Sequence, residues 1–266
     1  MIDGRAIIDP TAKLGKNVTV GPWSIVGPNV TVGDDVVIHS HVVLKGPTII
    51  GAGVKIFQFA TVGEDTPALA YAGEDTMLKI GEQTVIREGV TIHRGMEEGG
   101  IGETRIGKNC LLMAYVHIGH DCVVGNDVIM ANNASLSGHV EVGDHANFGG
   151  YSGVPPFRKI GAFSHVAACS LVLKDIPAYM TVAGNPAYAV GLNIEGMKRR
   201  HYDSKTRAAI KEAHKIVYRK GLRVSEALET IEDLRREFDE VEVFAKSLET
   251  SNVGIIRGRG YSSSDA

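Results

Sequence analysis

Every sixth residue from Ile8 is aliphatic: Ile8, Leu14, Val20, Val26, Val32, Ile38, Leu44, Ile50, Ile56 and Val62 follow one another without exception. A second run, in a shifted phase, takes in Ile106, Leu112, Ile118, Val124, Met130, Leu136, Val142, Phe148, Val154, Ile160, Val166 and Val172. Neither the 3.6-residue period of a helix nor the two-residue period of a flat strand repeats every six. Four residues beyond these positions runs a second inward slot of smaller side chains, as in Ala12, Val18, Ser24, Val30 and Val36, and later Cys110, Val116, Cys122, Val128 and Ala134. Hexads of this kind mark a parallel β-helix, whose short strands pair one coil away; three hexads would form a triangular coil of about eighteen residues. Glycines directly after the larger slot, such as Gly15, Gly21, Gly107 and Gly119, are read as serving sharp turns.

The repeat divides the chain. A hexapeptide coil is expected over 1–190, with loop excursions near 64–79 and 94–105, the second of which shifts the phase by two. Excursions from a solenoid commonly shape its binding face. A helical domain is expected over 191–256, with Ile210, His214 and Val217 on one stripe, a stop at Lys220-Gly221, a second helix capped near Ser225 and a third from about Asp239 to Thr250. The tail over 257–266 is expected to be disordered.

Composition narrows the class. With 44% hydrophobic residues in 266, a continuous core can form, and a net charge of −3 offers no basic field for nucleic acid. Cys110 and Cys122 fall on the small inward slot and read as reduced core residues. The amino terminus lacks the apolar stretch of a signal peptide and no run approaches the ~20 apolar residues of a membrane span, so a cytoplasmic protein without stable membrane insertion is expected.

Histidine carries the chemistry. None of the ten histidines falls on an inward slot. His117, His120 and His139 fall within about one coil of each other, and Asp121 lies 18 residues before His139, where one ladder spacing of ~4.8 Å would stack them. Gly138 lies 18 beyond His120. An imidazole, a carboxylate and an unshielded backbone N–H on one patch are the equipment for acyl transfer to a hydroxyl.

The run Leu112-Met-Ala-Tyr-Val-His117-Ile-Gly-His120-Asp121-Cys122, with Ser137-Gly138-His139-Val140, Tyr71-Ala-Gly-Glu74, Arg87-Glu-Gly-Val-Thr-Ile-His93-Arg-Gly95 and Asn193-Ile-Glu195-Gly-Met-Lys-Arg199-Arg200, resembles the acyl-carrier-protein:UDP-N-acetylglucosamine O-acyltransferases that begin lipid A synthesis. The resemblance covers the whole chain and implies a left-handed β-helix with a C-terminal helical domain, a homotrimer with clefts between neighbouring coils, and a Gram-negative source. It implies transfer of a 3-hydroxyacyl chain to the sugar 3-hydroxyl, with His120 as general base, Asp121 orienting it and the Gly138 N–H facing the oxyanion. His93, His117 and His139 would line the sugar and acyl pocket, while Asn193, Glu195, Arg199 and Arg200 would contact nucleotide and carrier. The acyl chain would arrive on the phosphopantetheine of acyl carrier protein, with no other cofactor and no metal. The Lys198-Arg199-Arg200 run suits anionic partners independently of that resemblance.

The chain also departs from the family pattern. Pro155 stands where a histidine is usual, Ala68 and Ala70 where an aspartate and a lysine are usual, and Pro186 where another histidine is usual. Two other readings therefore stand beside the first. One is a divergent or silent paralogue that binds or acylates a related UDP-amino sugar. The other is a zinc enzyme of the β-helix carbonic anhydrase type, using His93, His117 and His120 as ligands.

Overall fold

The computed structural model describes residues 1–259. From Ile7 to Val166 the chain winds through short strands, most of them two residues long, that form three parallel sheets of eight strands each; Met180–Gly184 and Ala187–Leu192 later extend one of them to ten. Each strand pairs with the strand three earlier: Ile7 lies opposite Ile25, Lys13 opposite Thr31 and Thr19 opposite Val37, an offset of 18 residues. The result is the expected left-handed parallel β-helix, triangular in section, with three hexads per coil.

The hexad slots form its core. Val26, Ile38, Leu44, Ile56 and Ile118 from the larger slot, and Val30, Val36, Val42, Ala60 and Val116 from the smaller, are all 0% exposed. Burial of each large aliphatic side chain stabilises the coil by about 1.5–3 kcal/mol.

The excursions are insertions into single coils. Thr61 pairs with Thr91 and Lys55 with Val85, an offset of 30, so the first excursion adds 12 residues, two whole hexads, and leaves the phase unchanged. Thr91 pairs with His117 and Val85 with Leu111, an offset of 26, so the second adds eight, one hexad and two residues. That remainder is the phase shift between the two aliphatic runs.

The glycines after the larger slot act differently from the expectation. The backbones of Gly15, Gly21, Gly107 and Gly119 are not left-handed; a Cβ on Gly119 would lie 2.8 Å from the Gly138 nitrogen of the next coil, and one on Gly107 would lie 2.4 Å from the Gly125 oxygen. They keep the coils in close contact. The left-handed corner residues stand two places later, as at Asp35, Asp121, Asp127 and His145, with φ of 58°, 57°, 55° and 62°. Asn and Asp tolerate this conformation best among residues with side chains.

Beyond Ile176 the coil is closed by an antiparallel hairpin, Met180–Gly184 with Ala187–Leu192, and by five helices: α1 Ile194–Arg199, α2 Ser204–Arg219, α3 Val224–Thr230, α4 Glu232–Glu237 and α5 Asp239–Glu249. The Asp203 side chain caps α2 by accepting from the Thr206 N–H at 2.8 Å, and Gly221, at φ 66°, follows the α2 stop. The second long-range helix starts earlier than expected, because Glu226 accepts from the Arg223 N–H at 2.9 Å, which leaves Ser225 inside α3. Ile210, Ala213 and Val217 of α2 pack with Phe244 and Leu248 of α5, and with Tyr179, into a second core.

Asp175, 1% exposed, fastens that domain to the coil: its carboxylate accepts from the Lys159 N–H at 2.9 Å, the Ser251 hydroxyl at 2.8 Å and the Asn252 N–H at 2.9 Å. Of the tail expected to be disordered, residues 257–259 are held: Arg257 accepts from the Ala189 N–H at 2.8 Å and donates to the Val217 carbonyl at 3.0 Å. Residues 260–266 lie outside the described residues. No helix among the described residues is long and apolar enough to cross a membrane.

Candidate active site

His120 and Asp121 occupy the corner between strands His117–Ile118 and Val123–Val124. The backbone at Asp121 is left-handed, and its carboxylate is covered by the second excursion, its side chain 0% exposed. There Oδ1 accepts from the Ile101 N–H at 2.8 Å, and Oδ2 accepts from the Met96 N–H at 3.1 Å and faces His120 Nδ1 at 2.8 Å. Asp121 is thus gripped by the second excursion and pairs with its neighbour His120, while His139, one coil on, stays within 4.8 Å as the spacing led one to expect. A carboxylate can only accept, so Nδ1 carries a proton, and in the neutral ring the lone pair is on Nε2.

Nε2 opens toward Gly138. A Cβ on Gly138 would lie 2.6 Å from Nε2, so only glycine leaves the ring its place. The Gly138 N–H makes no hydrogen bond to any described residue. One coil on, Pro156 has no N–H to offer.

The other imidazoles continue the row. His139 meets His120 edge to face at 4.8 Å and stacks on Phe157 at 4.4 Å. His93 and His117 lie 5.4 Å apart, with His117 Nδ1 2.8 Å from the Thr91 hydroxyl and His93 Nδ1 donating to the Asp65 carbonyl at 2.6 Å. Burial lowers the His117 pKa, assisted by the neighbouring His93 and His120. Burial likewise lowers that of His139, with His120 adding to it and Asp121 opposing. Both rings are therefore polar but uncharged near neutrality, suited to hydrogen bonding around a base without competing for its proton. His120, Asp121 and His139 bring ligand-type atoms within 4.8 Å of one another, but both Asp121 oxygens are already engaged. The three imidazoles considered for zinc, His93, His117 and His120, do not form such a group among the described residues.

The two excursions are locked together beside this row. Arg94, 5% exposed, donates to the Gly63 carbonyl, the Asp65 carboxylate and the Tyr71 hydroxyl. Glu74 accepts from the Ala72 N–H at 2.8 Å and, across to the second excursion, from the Glu97 N–H at 3.2 Å.

Asn193, Glu195, Arg199 and Arg200 lie elsewhere. With His145, Phe163 and His165 they line a cavity of about 500 Å³ against the outer face of the ten-stranded sheet, separated from His120 by the whole width of the sheet that carries Val123–Val124. Asn193 caps α1 by accepting from the Gly196 N–H at 2.9 Å and donates to the Phe163 carbonyl at 2.9 Å, which fixes the helix against the coil. Arg200 lies 5.7 Å from the Phe163 ring, and Glu195 pairs with Lys198 at 2.8 Å on the surface. Burial, then the Arg200 charge, lowers the His145 pKa. One chain therefore holds two groups of the expected site residues on different walls. His145, Phe163 and His165 were not singled out from sequence, yet the signal was present: Asp127, His145 and Phe163 follow one another at one-coil spacing, and Asn147 pairs with His165.

Known proteins share both sequence and shape. Residues 11–46 and 103–138 match the model of bacterial transferase hexapeptide repeats, and residues 175–256 match domain 2 of UDP-N-acetylglucosamine O-acyltransferase. The acyl-[acyl-carrier-protein]–UDP-N-acetylglucosamine O-acyltransferase of Stutzerimonas stutzeri is 52% identical over 97% of this chain and 99% of its own. That of Saccharophagus degradans is 51% identical over 96% and 99%. The solved UDP-N-acetylglucosamine acyltransferase of Francisella novicida matches with a TM-score of 0.95 at 36% identity, covering 98% of this chain and 95% of its own. The solved O-acyltransferase of Moraxella catarrhalis matches at 0.94 and 43%, covering 96% and 99%. With sequence and shape matched almost end to end, the chain belongs to the UDP-N-acetylglucosamine O-acyltransferase family.

Proposed function

We propose that this protein moves a 3-hydroxyacyl chain from acyl carrier protein to the 3-hydroxyl of UDP-N-acetylglucosamine, the first step of lipid A biosynthesis. The relatives named above support the reaction, and one observation supports its chemistry: Asp121 engages His120 Nδ1 and leaves Nε2 turned toward Gly138, whose N–H is bare.

In this reading His120 Nε2 takes the hydroxyl proton as the sugar oxygen attacks the thioester carbonyl. The carbonyl π electrons move onto its oxygen, and the Gly138 N–H donates to that oxyanion. As the tetrahedral intermediate collapses, the carbon–sulfur bond breaks and the thiolate takes the proton back from His120. Asp121, fixed by two backbone N–H groups, stabilises the imidazolium in between. His93, His117 and His139 hold sugar and acyl groups by hydrogen bonds.

Asn193, Glu195, Arg199 and Arg200 contact the nucleotide and the carrier. Because they share no wall with His120 in one chain, the site is completed by a neighbouring copy, which supports a homotrimer with clefts between subunits. His120→Ala should lower turnover with UDP-N-acetylglucosamine and a 3-hydroxyacyl carrier protein by about 10²–10⁴, the usual contribution of a general base. Undiminished turnover would remove His120 from the reaction. A parallel assay with the 3-amino sugar decides the acceptor, since Pro155, Ala68, Ala70 and Pro186 stand where the family usually has polar groups.

A further inference from the structure

The cavity that Arg199 and Arg200 line also carries charge of the wrong sign for a diphosphate, because Asp127 and Glu195 line it too. Glu195 is answered by Lys198 at 2.8 Å. Asp127 has no charged neighbour of that kind among the described residues; only the His145 ring approaches it, with Nδ1 3.7 Å from Oδ2.

His145 stands one coil on from Asp127, on a left-handed corner whose N–H donates to the Asn126 carbonyl at 2.8 Å. Its ring lies 4.8 Å from that of Phe163, which is also the ring 5.7 Å from the Arg200 guanidinium. The ring and the guanidinium thus share one support. His145 Nδ1 is buried without a hydrogen-bond partner, since 3.7 Å is too long for one. Buried polar atoms ordinarily have a partner.

Burial, then the Arg200 charge, keeps the imidazole neutral near pH 7 against the pull of Asp127 and Asp144. Asp144 is occupied in accepting from the Asn126 N–H at 2.7 Å. Arg199, Glu195 and a second imidazole, His165, complete the charged and titratable lining, and burial keeps His165 neutral as well. A diphosphate on Arg199 and Arg200 would reverse this balance, cancelling the guanidinium charge and adding its own beside the ring.

We propose that His145 takes up a proton as the nucleotide sugar binds and becomes a third cation for its diphosphate, with Asp127 as counter-ion. The proposal rests on the reading that this cavity holds the nucleotide. Both ring nitrogens then donate, Nδ1 toward Asp127 and Nε2 toward phosphate, so the carboxylate is neutralised rather than set against the ligand. Both phosphates of a nucleotide diphosphate sugar are esterified and do not ionise near neutrality, so the proton is held by the protein.

UDP-N-acetylglucosamine titrated calorimetrically into the full chain, in buffers of different ionisation enthalpy, should show uptake of a fraction of a proton near pH 6.5. The bound state holds the extra proton, so affinity should rise about tenfold as pH falls from about 8 to about 6, as a gain of about one pKa unit on binding requires. His145→Gln, or His145→Asn should that variant not fold, should abolish the uptake and flatten the pH dependence, whereas His165→Gln should retain both. Binding without proton uptake, or uptake that survives His145→Gln, would overturn the proposal. Binding undiminished in Arg199→Ala, Arg200→Ala would instead overturn the placement of the nucleotide here, and the proposal with it.

Discussion

Gly138 carries no side chain because the His120 ring occupies the space one would fill. A methyl group there would meet Nε2 at 2.6 Å and Cε1 at 2.7 Å. Gly138→Ala is therefore expected to swing the imidazole off its carboxylate and lower turnover by about 10²-fold or more, the scale of a lost general base. Its thermal unfolding should stay close to that of the unsubstituted protein, because Gly138 φ is not left-handed and the Cβ meets a partly exposed side chain rather than backbone. Assaying both turnover and melting temperature checks this, since a collapse in both would make Gly138 merely structural. The partnership of Asp121 with its neighbour was not legible from spacing, because an eighteen-residue interval aligns backbones and says nothing about which way a corner side chain turns. The carboxylate is buried because the amides of Met96 and Ile101 in the second excursion meet it.

Those amides belong to an element whose position depends on another. Glu74 ties the first excursion to the Glu97 amide, and the same loop holds Asp121 through the adjacent Met96. Glu74→Ala should therefore loosen the grip on Asp121 and lower kcat about tenfold, with KM for the nucleotide sugar nearly unchanged, since Glu74 touches none of the groups assigned to the nucleotide. Steady-state kinetics separates the two parameters; a rise in KM alone would count against the linkage.

Helix α2 offers a different test. Burial, aided by Arg219, pushes the His214 pKa down to about 4 from the ordinary 6.5. The unfolded chain then binds a proton that the folded one refuses between those values. Stability contributed by neutral His214 is full above about pH 6.5 and is lost as pH falls toward 4, by up to about 3 kcal/mol. Urea midpoints at pH 7 and pH 5 should show that fall, and His214→Gln should flatten it. The sequence placed His214 on the inner stripe of α2, but the hairpin strand that lines a cavity with it was announced by no hexad.

For the molecule as a whole, the repeat made the architecture readable because each coil contacts chiefly its neighbours, so a local pattern determines the global shape. The two groups of site residues could not be separated by the same reasoning, because a linear pattern does not say which wall of a prism faces another subunit. If the clefts are shared, a protein carrying His120→Ala and one carrying Arg199→Ala, Arg200→Ala, each inactive alone, should regain activity when refolded together. Random assembly predicts recovery of up to about a quarter of the unsubstituted rate, from clefts that receive an intact half from each subunit. No recovery would confine the reaction to one chain.

Both excursions leave after one sheet, at Thr61–Glu64 and Thr91–His93, and rejoin the coil in register on the next, at Met77–Ile80 and Glu103–Ile106, though one adds 12 residues and the other eight. Pairing with the rung below sets where the chain lands, whatever length it has travelled. Such loops can be lengthened, shortened or rewritten generation after generation while the prism underneath keeps its shape. Diversification of what this lineage accepts is thereby uncoupled from the question of whether the chain folds.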